Sequence, residues 1–170
     1  MIRLFFFIIL LSLWSVTAFV TFSIAETNVG LKSFQVNSKT KIEITSQSMI
    51  FNSKSNVTKF FTNVNVTYGQ LQLSAQTITV SQSKDLNNLA TLTFFASGPI
   101  IINNDKNKIR GNEATFTEEN QELVIVGNVS LLQNNNTIFG DRLVLDLKKG
   151  IAKISGSVKT IIAPVGESLK

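Results

Sequence analysis

The sequence of this 170-residue chain predicts a single all-β domain behind an apolar N-terminal segment. Apolar and polar residues alternate with a period of two through most of the chain beyond residue 40, and clusters of Asn, Ser, Asp and Lys separate the alternating runs. Beyond the apolar segment, no window of about 12 residues shows the period of 3.6 that is typical of a helix. The runs recur about every 8–12 residues, which is the spacing typical of a sandwich or barrel.

The first element is the apolar segment Leu4–Ala25, which carries no charge and is flanked by Arg3 and Glu26. A short positive region, an apolar stretch and small residues before a cut are typical of a secretory signal peptide. Ser23 and Ala25 occupy positions −3 and −1 of a cut after Ala25. We therefore expect residues 1–25 to be a helical signal peptide that is removed on export.

Two alternatives to this cut remain open. A cut after Ala18 would place Val16 at position −3. The other alternative is an uncleaved anchor, because about 20 apolar residues can span a bilayer. The cleaved signal is favoured, because the apolar stretch thins into Ser, Thr and Ala and does not meet a basic stop. Residues 26–163 then form the domain, and residues 164–170 form a polar tail.

The composition argues against most enzyme chemistry. The chain has no cysteine and no histidine, which removes disulfides, thiolate metal sites, Cys nucleophiles and the commonest general base. Glu118, Glu119 and Glu122 lie in a predicted hairpin turn, where solvated charges are expected. Asp141 and Asp146 face opposite sides of a strand, because their spacing is odd. We therefore expect no enzyme activity, no cofactor and no metal site.

The charge of the chain is mildly basic and scattered. The net charge is +5, and it falls to +4 when Arg3 is lost with the signal. A nucleic-acid footprint would be a dense basic patch with stacking aromatic residues, whereas Tyr68 is the single tyrosine of this chain. Nucleic acid is therefore not expected as a partner, but a polyanionic lipid or glycolipid is compatible with the charge.

The alternating runs are predicted strands with one apolar and one polar face. They are Lys41–Thr45, Asn63–Thr67, Gln70–Ser74, Thr77–Val80 and Arg142–Asp146.

The chain also contains an internal repeat. Residues 44–80 align with residues 109–145 without a gap, so that Ile44 meets Ile109 and Phe51 meets Phe116. Few positions are identical, but the apolar positions coincide. We interpret this as two similar stacks of strands, each running out, back and out again.

The apolar residues of these runs predict one continuous inner wall. In one interpretation they simply fill a core. In the other, part of the wall stays unfilled and holds acyl chains, because lipid tails gain only from dispersion and area burial, at about 25 cal/mol per Å². The candidate lipid-contacting residues are Ile42, Ile44, Met49, Phe51, Phe60, Val64, Val66, Leu73, Ile78, Ile109, Phe116, Ile125, Val129, Leu131, Ile138 and Leu143.

Two stretches carry a resemblance to a known family. Thr62–Val80 is similar to the G-N-V-x-V-x-x-G-x-I-x-I-x-A-D-x-V-x-V signature of the LptA/OstA family of periplasmic lipopolysaccharide-transport proteins. A second copy, Val126–Gln133 followed by Ile138–Leu143, resembles the later T-G-N-x-x-L-x-Q and I-x-G-D-x-I block of that family. The resemblance spans about residues 42–163. Thr62 replaces the first family glycine and Gln76 the first aspartate, which puts the tightness of the first turn in question.

The resemblance implies a fold and a function. The fold would be a twisted, open β-jellyroll of antiparallel strands, with an apolar groove for the acyl chains of lipid A. Copies would join head to tail in the periplasm of a Gram-negative bacterium. The bridge would link an LptC-like inner-membrane protein to an LptD-like outer-membrane protein, and ATP hydrolysis would take place in the inner-membrane complex.

Two other functions remain open at this point. One is an LptC-like subunit that shares the jellyroll but keeps its N-terminal helix in the membrane. The other is a ligand-free structural or fibre-forming β-protein. For assembly, we expect the first strand, Lys41–Thr45, and the last, Val158–Ile162, to be the two sheet edges, because the unpaired backbone groups of an edge allow strand addition. We also expect Phe51 and Phe116 to face the lipid path.

Overall fold

The computed structural model describes residues 27–30, 34–37, 39–84, 89–105 and 107–163. The expected signal peptide, both candidate cuts and the tail 164–170 lie outside these residues. No helix within the described part of the chain has the length and apolar character needed to cross a membrane. The strands are β1 (Thr27–Gly30), β2 (Ile42–Thr45), β3 (Ser48–Asn52), β4 (Val57–Tyr68), β5 (Leu71–Lys84), β6 (Ala90–Asn104), β7 (Asn107–Thr117), β8 (Glu122–Gln133), β9 (Asn136–Asp146), β10 (Ile151–Ser155) and β11 (Lys159–Ile161).

All of these strands belong to one antiparallel sheet, so the all-β, open antiparallel prediction is confirmed. The order is β1-β10-β9-β8-β7-β6-β5-β4-β2. Near one edge, β2 and β3 both pair with β4, and near the other, β10 and β11 both pair with β9. The expectation of short, separate strands is wrong for the middle of the sheet. Apart from Gln70, the predicted strands Gln70–Ser74 and Thr77–Val80 lie in a single 14-residue strand, β5, which continues through an irregularity.

A line of β-bulges folds this sheet over. Register shifts interrupt each consecutive strand pair from β4–β5 to β8–β9 at the same level of the sheet. A bulge bends its strand and increases the local twist, so a row of bulges divides the strands into two arms that face each other. Tyr68 and Phe116 come from opposite arms, and their ring centroids lie 5.6 Å apart. A single sheet thereby encloses a core, as the jellyroll prediction requires.

Thr62, which replaces the first glycine of the family signature, does not remove the bulge in β4. In the second repeat the bulge contains Gly127, with φ of 78°, and a Cβ there would lie 2.7 Å from the Asn112 side-chain nitrogen. In the first repeat Thr62 occupies the same position with φ of 62°, and its carbonyl accepts a hydrogen bond from the Gln47 N–H at 3.1 Å. A β-branched residue in this left-handed region is strained. The first bulge therefore has the same geometry as the second, at a conformational cost.

The internal repeat is confirmed by the strand register. The pairs Ile44–Val66 and Phe60–Ile78 recur, 65 residues later, as the pairs Ile109–Leu131 and Ile125–Leu143. The bulge of β4 also recurs in β8 at this offset. The β2–β3, β4 and β5 stack is therefore repeated as β7, β8 and β9.

The chain before β2 closes one part of the core and shows that Lys41–Thr45 is not the first strand. A strand, β1, does precede Lys41–Thr45, but it pairs with β10 at the far side of the sheet. The segment between β1 and β2 contains the fully buried Phe34, and the Val36 N–H donates to the Leu147 carbonyl at 3.0 Å. The prediction that β2 is an edge is confirmed, and the last strand, predicted as Val158–Ile162, is the edge strand β11.

Candidate functional site

The inner face of the folded sheet is a continuous apolar wall. Residues that lie directly opposite each other in an antiparallel pair share one face of the sheet, so the register identifies rows of neighbouring side chains. Except for the half-buried Phe60, the members of the central row are buried. This row passes through Phe60, Ile78, Ala96, Ala114, Ile125, Leu143 and Ile154.

The structure brings all but two of the candidate lipid-contacting residues into or against this wall. The buried ones are Val64, Ile78, Ile109, Phe116, Ile125, Val129, Leu131, Ile138 and Leu143. The partly buried ones are Ile42, Ile44, Phe60, Val66 and Leu73.

Met49 and Phe51 correct the prediction of a continuous enclosed wall. Both lie on β3, and their side chains are 58% and 60% exposed. Their register partners, Phe60 and Thr58, place them on the inner face, but β3 lies near the sheet edge, where the described chain does not cover them. Phe116, at the equivalent position of the second repeat, is only 9% exposed. The two phenylalanines thus match in register and differ in surroundings.

Most of the wall is filled, as the core interpretation expects. A cavity of about 60 Å³ remains between the arms, and its lining is apolar. Ile42, Ile78, Ala96, Ala114 and Phe116 contribute to that lining. This volume is small beside that of the neighbouring cleft, so side chains already occupy most of the space between the arms.

A larger cleft of about 380 Å³ opens beside this cavity, on the side of the β2 edge. Its floor includes Ile44, Phe60 and Val80, and polar groups at its rim include Thr58 and Glu118. The cleft and the inner cavity share lining residues Ile42, Tyr68 and Phe94. Ile42, Tyr68 and Phe94 therefore lie at the boundary between the cleft and the interior.

Tyr68 joins the cleft to the cavity. Burial, and after it the negative charge of Glu118, raise the pKa of the Tyr68 phenol above its ordinary value of 10.0. The hydroxyl therefore stays neutral at physiological pH. Its ring packs on Phe116, which in turn packs on Phe94 with ring centroids 5.7 Å apart. Two of these rings, Tyr68 and Phe94, line both spaces and form the partition between the cleft and the cavity.

Sequence reasoning did not place Tyr68 or Phe94 at a site. Tyr68 entered only as the single tyrosine, and β6 was absent from the predicted strands. A signal for Phe94 was present, because Leu92 and Phe94 alternate with Thr91 and Thr93.

Glu118 and Glu119 lie exposed in the turn between β7 and β8, as expected. The prediction is wrong for Glu122, which is the first residue of β8. Slight burial would raise the pKa of Asp146, but the Lys149 N–H at 2.8 Å and the Lys149 ammonium at 3.0 Å lower it. Asp146 thus stabilises the turn before β10. Within the described ranges, no group of Asp and Glu side chains is placed to hold a metal ion.

The comparisons with known proteins agree with the fold. Residues 43–151 match the model of a family described as the LptA/(LptD N-terminal domain) LPS transport protein. A sequence search of curated proteins finds no match. Among solved structures, the chain resembles LptH of Pseudomonas aeruginosa, described as the LptA-homologous periplasmic component of the lipopolysaccharide transport device. The identity is 19%, the TM-score is 0.63, and the match covers 75% of this chain and 98% of that one.

The family match runs from the second residue of β2 to the first residue of β10, and this range includes most of the wall, the cavity and the cleft. On this evidence the chain belongs to the LptA/LptD N-terminal domain family of lipopolysaccharide transport proteins.

Proposed function

We propose that this protein is exported to the periplasm and carries lipopolysaccharide, with acyl chains of lipid A held against the inner face of the sheet. The observation that carries this proposal is the apolar cleft beside β2, which leads to an apolar cavity between the two arms. A lipid tail offers no hydrogen-bonding groups, and the cavity and the floor of the cleft present apolar side chains to it. Burying the tail there gains about 25 cal/mol per Å² of apolar surface removed from water.

The small interior requires the arms to separate when lipid enters. The least costly place for this movement is the β2 edge, because among the described residues β2 and β3 pair only with β4, over four and five residues. Few backbone pairings and half-buried side chains are typical of parts that open locally. The lipid therefore enters through the cleft and reaches the interior past Ile42.

The two sheet edges support a bridging role. Met49, Ile50 and Phe51 are exposed on β3, and Ile161 and Ile162 are exposed at the opposite edge. Exposed strands with apolar side chains are suited to the addition of another strand. One edge would join an LptC-like inner-membrane protein, the other an LptD-like outer-membrane protein, and copies would join head to tail between them. Because the two edges differ, such contacts do not close into a dimer.

The filled interior favours one other candidate, a structural β-protein that adds strands but binds no lipid. A binding experiment separates the two. Phe60 lies on the floor of the cleft, and its neighbour Lys59 is exposed on the other face of β4. Phe60→Asp places an unpaired charge on the apolar wall, whereas Lys59→Asp changes the net charge by a larger amount away from it.

The assay is displacement of a fluorescent fatty acid by purified lipopolysaccharide. We expect Phe60→Asp to weaken binding at least tenfold and Lys59→Asp to leave it within about twofold. Ile44→Asp, on the edge strand, provides a second cleft variant if Phe60→Asp unfolds. Equal binding by all three variants, or no binding by the unmodified protein, would favour the ligand-free structural protein.

A further inference from the structure

The far edge of the sheet is covered over half its length by the chain's own first strand. The strand β1 pairs with β10 over four residues, with Asn28 opposite Lys153. The strand β11 forms the other half of this edge, and among the described residues its only strand partner is β9. The half of the edge formed by β11 is thus open to a further strand, and the half formed by β10 is occupied.

The internal repeat shows what the whole edge resembles. The strands β10 and β11 lie on β9 as β6 lies on β5, with an offset of 58 residues. Ala96, opposite Ile78, corresponds to Ile154, opposite Leu143. Both copies also bend at a left-handed glycine, Gly98 in β6 and Gly156 between β10 and β11. The edge is therefore a second version of β6, divided into two strands at the bulge.

In the sheet, the strand that follows β6 is β7, and β7 is the repeat of β2 and β3. If the β10–β11 edge pairs in the register that β6 uses with β7, its next neighbours are β3 and β2 of another molecule. The pair Phe94–Phe116 then becomes Ala152 opposite Phe51 of the second copy. The exposed phenylalanine of β3 would then lie directly opposite a small, buried alanine.

We propose that the β10–β11 edge accepts β3 and β2 of a second copy in this register, and that β1 is an internal cap that must leave β10 first. This inference rests on the head-to-tail assembly of the proposed function. It adds the strand register of that assembly and its regulation by β1. The exchange replaces the four paired residues of β1 with two strands of five and four residues. Because β1 belongs to the same chain as β10, its effective concentration is high. In dilute protein β1 therefore stays paired with β10, and at high protein concentration the strands of a second copy replace it.

The absence of native cysteine makes this exchange directly testable. Directly opposite residues of an antiparallel pair lie within disulfide reach. Asn28→Cys with Lys153→Cys therefore locks the cap, and Thr67→Cys with Gln72→Cys is the matched control, since these exposed residues face each other in the β4–β5 hairpin. Size-exclusion chromatography with light scattering is run over a concentration series, oxidised and reduced.

We expect the locked protein to remain monomeric at every concentration when oxidised and to associate when reduced. The control should associate equally in both states. The register predicts a further crosslink. Lys153 corresponds to Phe95, and Ile50 corresponds to Thr115. Because Phe95 and Thr115 lie opposite each other in the β6–β7 pair, Lys153 and Ile50 of two copies should lie opposite each other as well. Mixing the Ile50→Cys and Lys153→Cys proteins should therefore give a disulfide-linked dimer, and mixing Thr67→Cys with Lys153→Cys should not.

Each contrary result refutes a different claim. Association of the oxidised locked protein at the level of the control would refute the cap and leave the bridge intact. Equal crosslinking of Lys153→Cys to both partners would refute the register. If neither the unmodified protein nor a variant lacking residues 27–30 associates at any concentration, the inference and the assembly part of the proposed function both fail. Lipid binding would still be judged separately by the Phe60→Asp variant.

Discussion

Filling the inner cavity tests whether that space serves the ligand. Ala114 is buried and lines the cavity of about 60 Å³. Ala114→Val adds two methyl groups there, and valine is favoured in strands. Cavity volume costs about 24 cal/mol per Å³, so filling this one recovers at most about 1.4 kcal/mol. We expect Ala114→Val to raise the free energy of unfolding by up to that amount and to weaken lipopolysaccharide binding.

Ala152→Val is the matched control for this prediction. Ala152 is a fully buried inner-face alanine that does not line the cavity. Added methyl groups have no space there, and overpacking costs about 1–3 kcal/mol. Urea unfolding with a constant m-value gives both changes in stability, and displacement of a fluorescent fatty acid gives binding. If Ala114→Val destabilises the protein as much as Ala152→Val, the cavity is not usable space. If it is stabilising but binding is unchanged, the acyl chain does not reach the cavity.

Two further predictions concern the bulge line and the cleft. Thr62→Gly relieves about 1–2 kcal/mol of left-handed strain against an entropic cost of about 0.5–1 kcal/mol, so urea unfolding should show a net gain in stability. Gly127→Ala should lose about 1–3 kcal/mol of stability, because its Cβ meets Asn112. A loss for Thr62→Gly or a gain for Gly127→Ala would refute the strain argument. Tyr68 is the single tyrosine, so tyrosinate absorbance should titrate above pH 10.0 in the folded protein. Because the folded pKa is raised, stability should fall as pH rises above the unfolded value, and Tyr68→Phe should abolish that fall.

The local pattern was sufficient to predict the apolar face and strand segments that lie in β2, β4, β5 and β9. Alternation assigns each side chain to one side of a strand, which is why Ile109, Ile125 and Leu143 were correctly expected to be buried. The bulges were not predicted, because Ala75 and Gln76 look like a break between two strands when only alternation is considered. In the structure they form the irregular part of one strand, β5.

Features that depend on position in the sheet were not predictable from alternation. Phe51 occupies the same position in the internal repeat as Phe116. The exposure of Met49 and Phe51, however, depends on whether another part of the chain covers them. The cap β1 was missed because Thr27–Gly30 has no apolar alternation and its partner, β10, lies more than 120 residues further along the chain. The partition formed by Tyr68 and Phe94 depends on the folding of one arm over the other, which the sequence does not specify locally.

Photo-crosslinking at two adjacent residues tests the central claim most directly. A photoreactive residue at position 60 lies on the cleft floor, and one at position 59 is exposed on the opposite face of the same strand. After irradiation with lipopolysaccharide, we predict strong capture at position 60 and only background capture at position 59. Equal capture at the two positions, or capture at 59 alone, would contradict the claim that acyl chains lie against the inner face of the sheet.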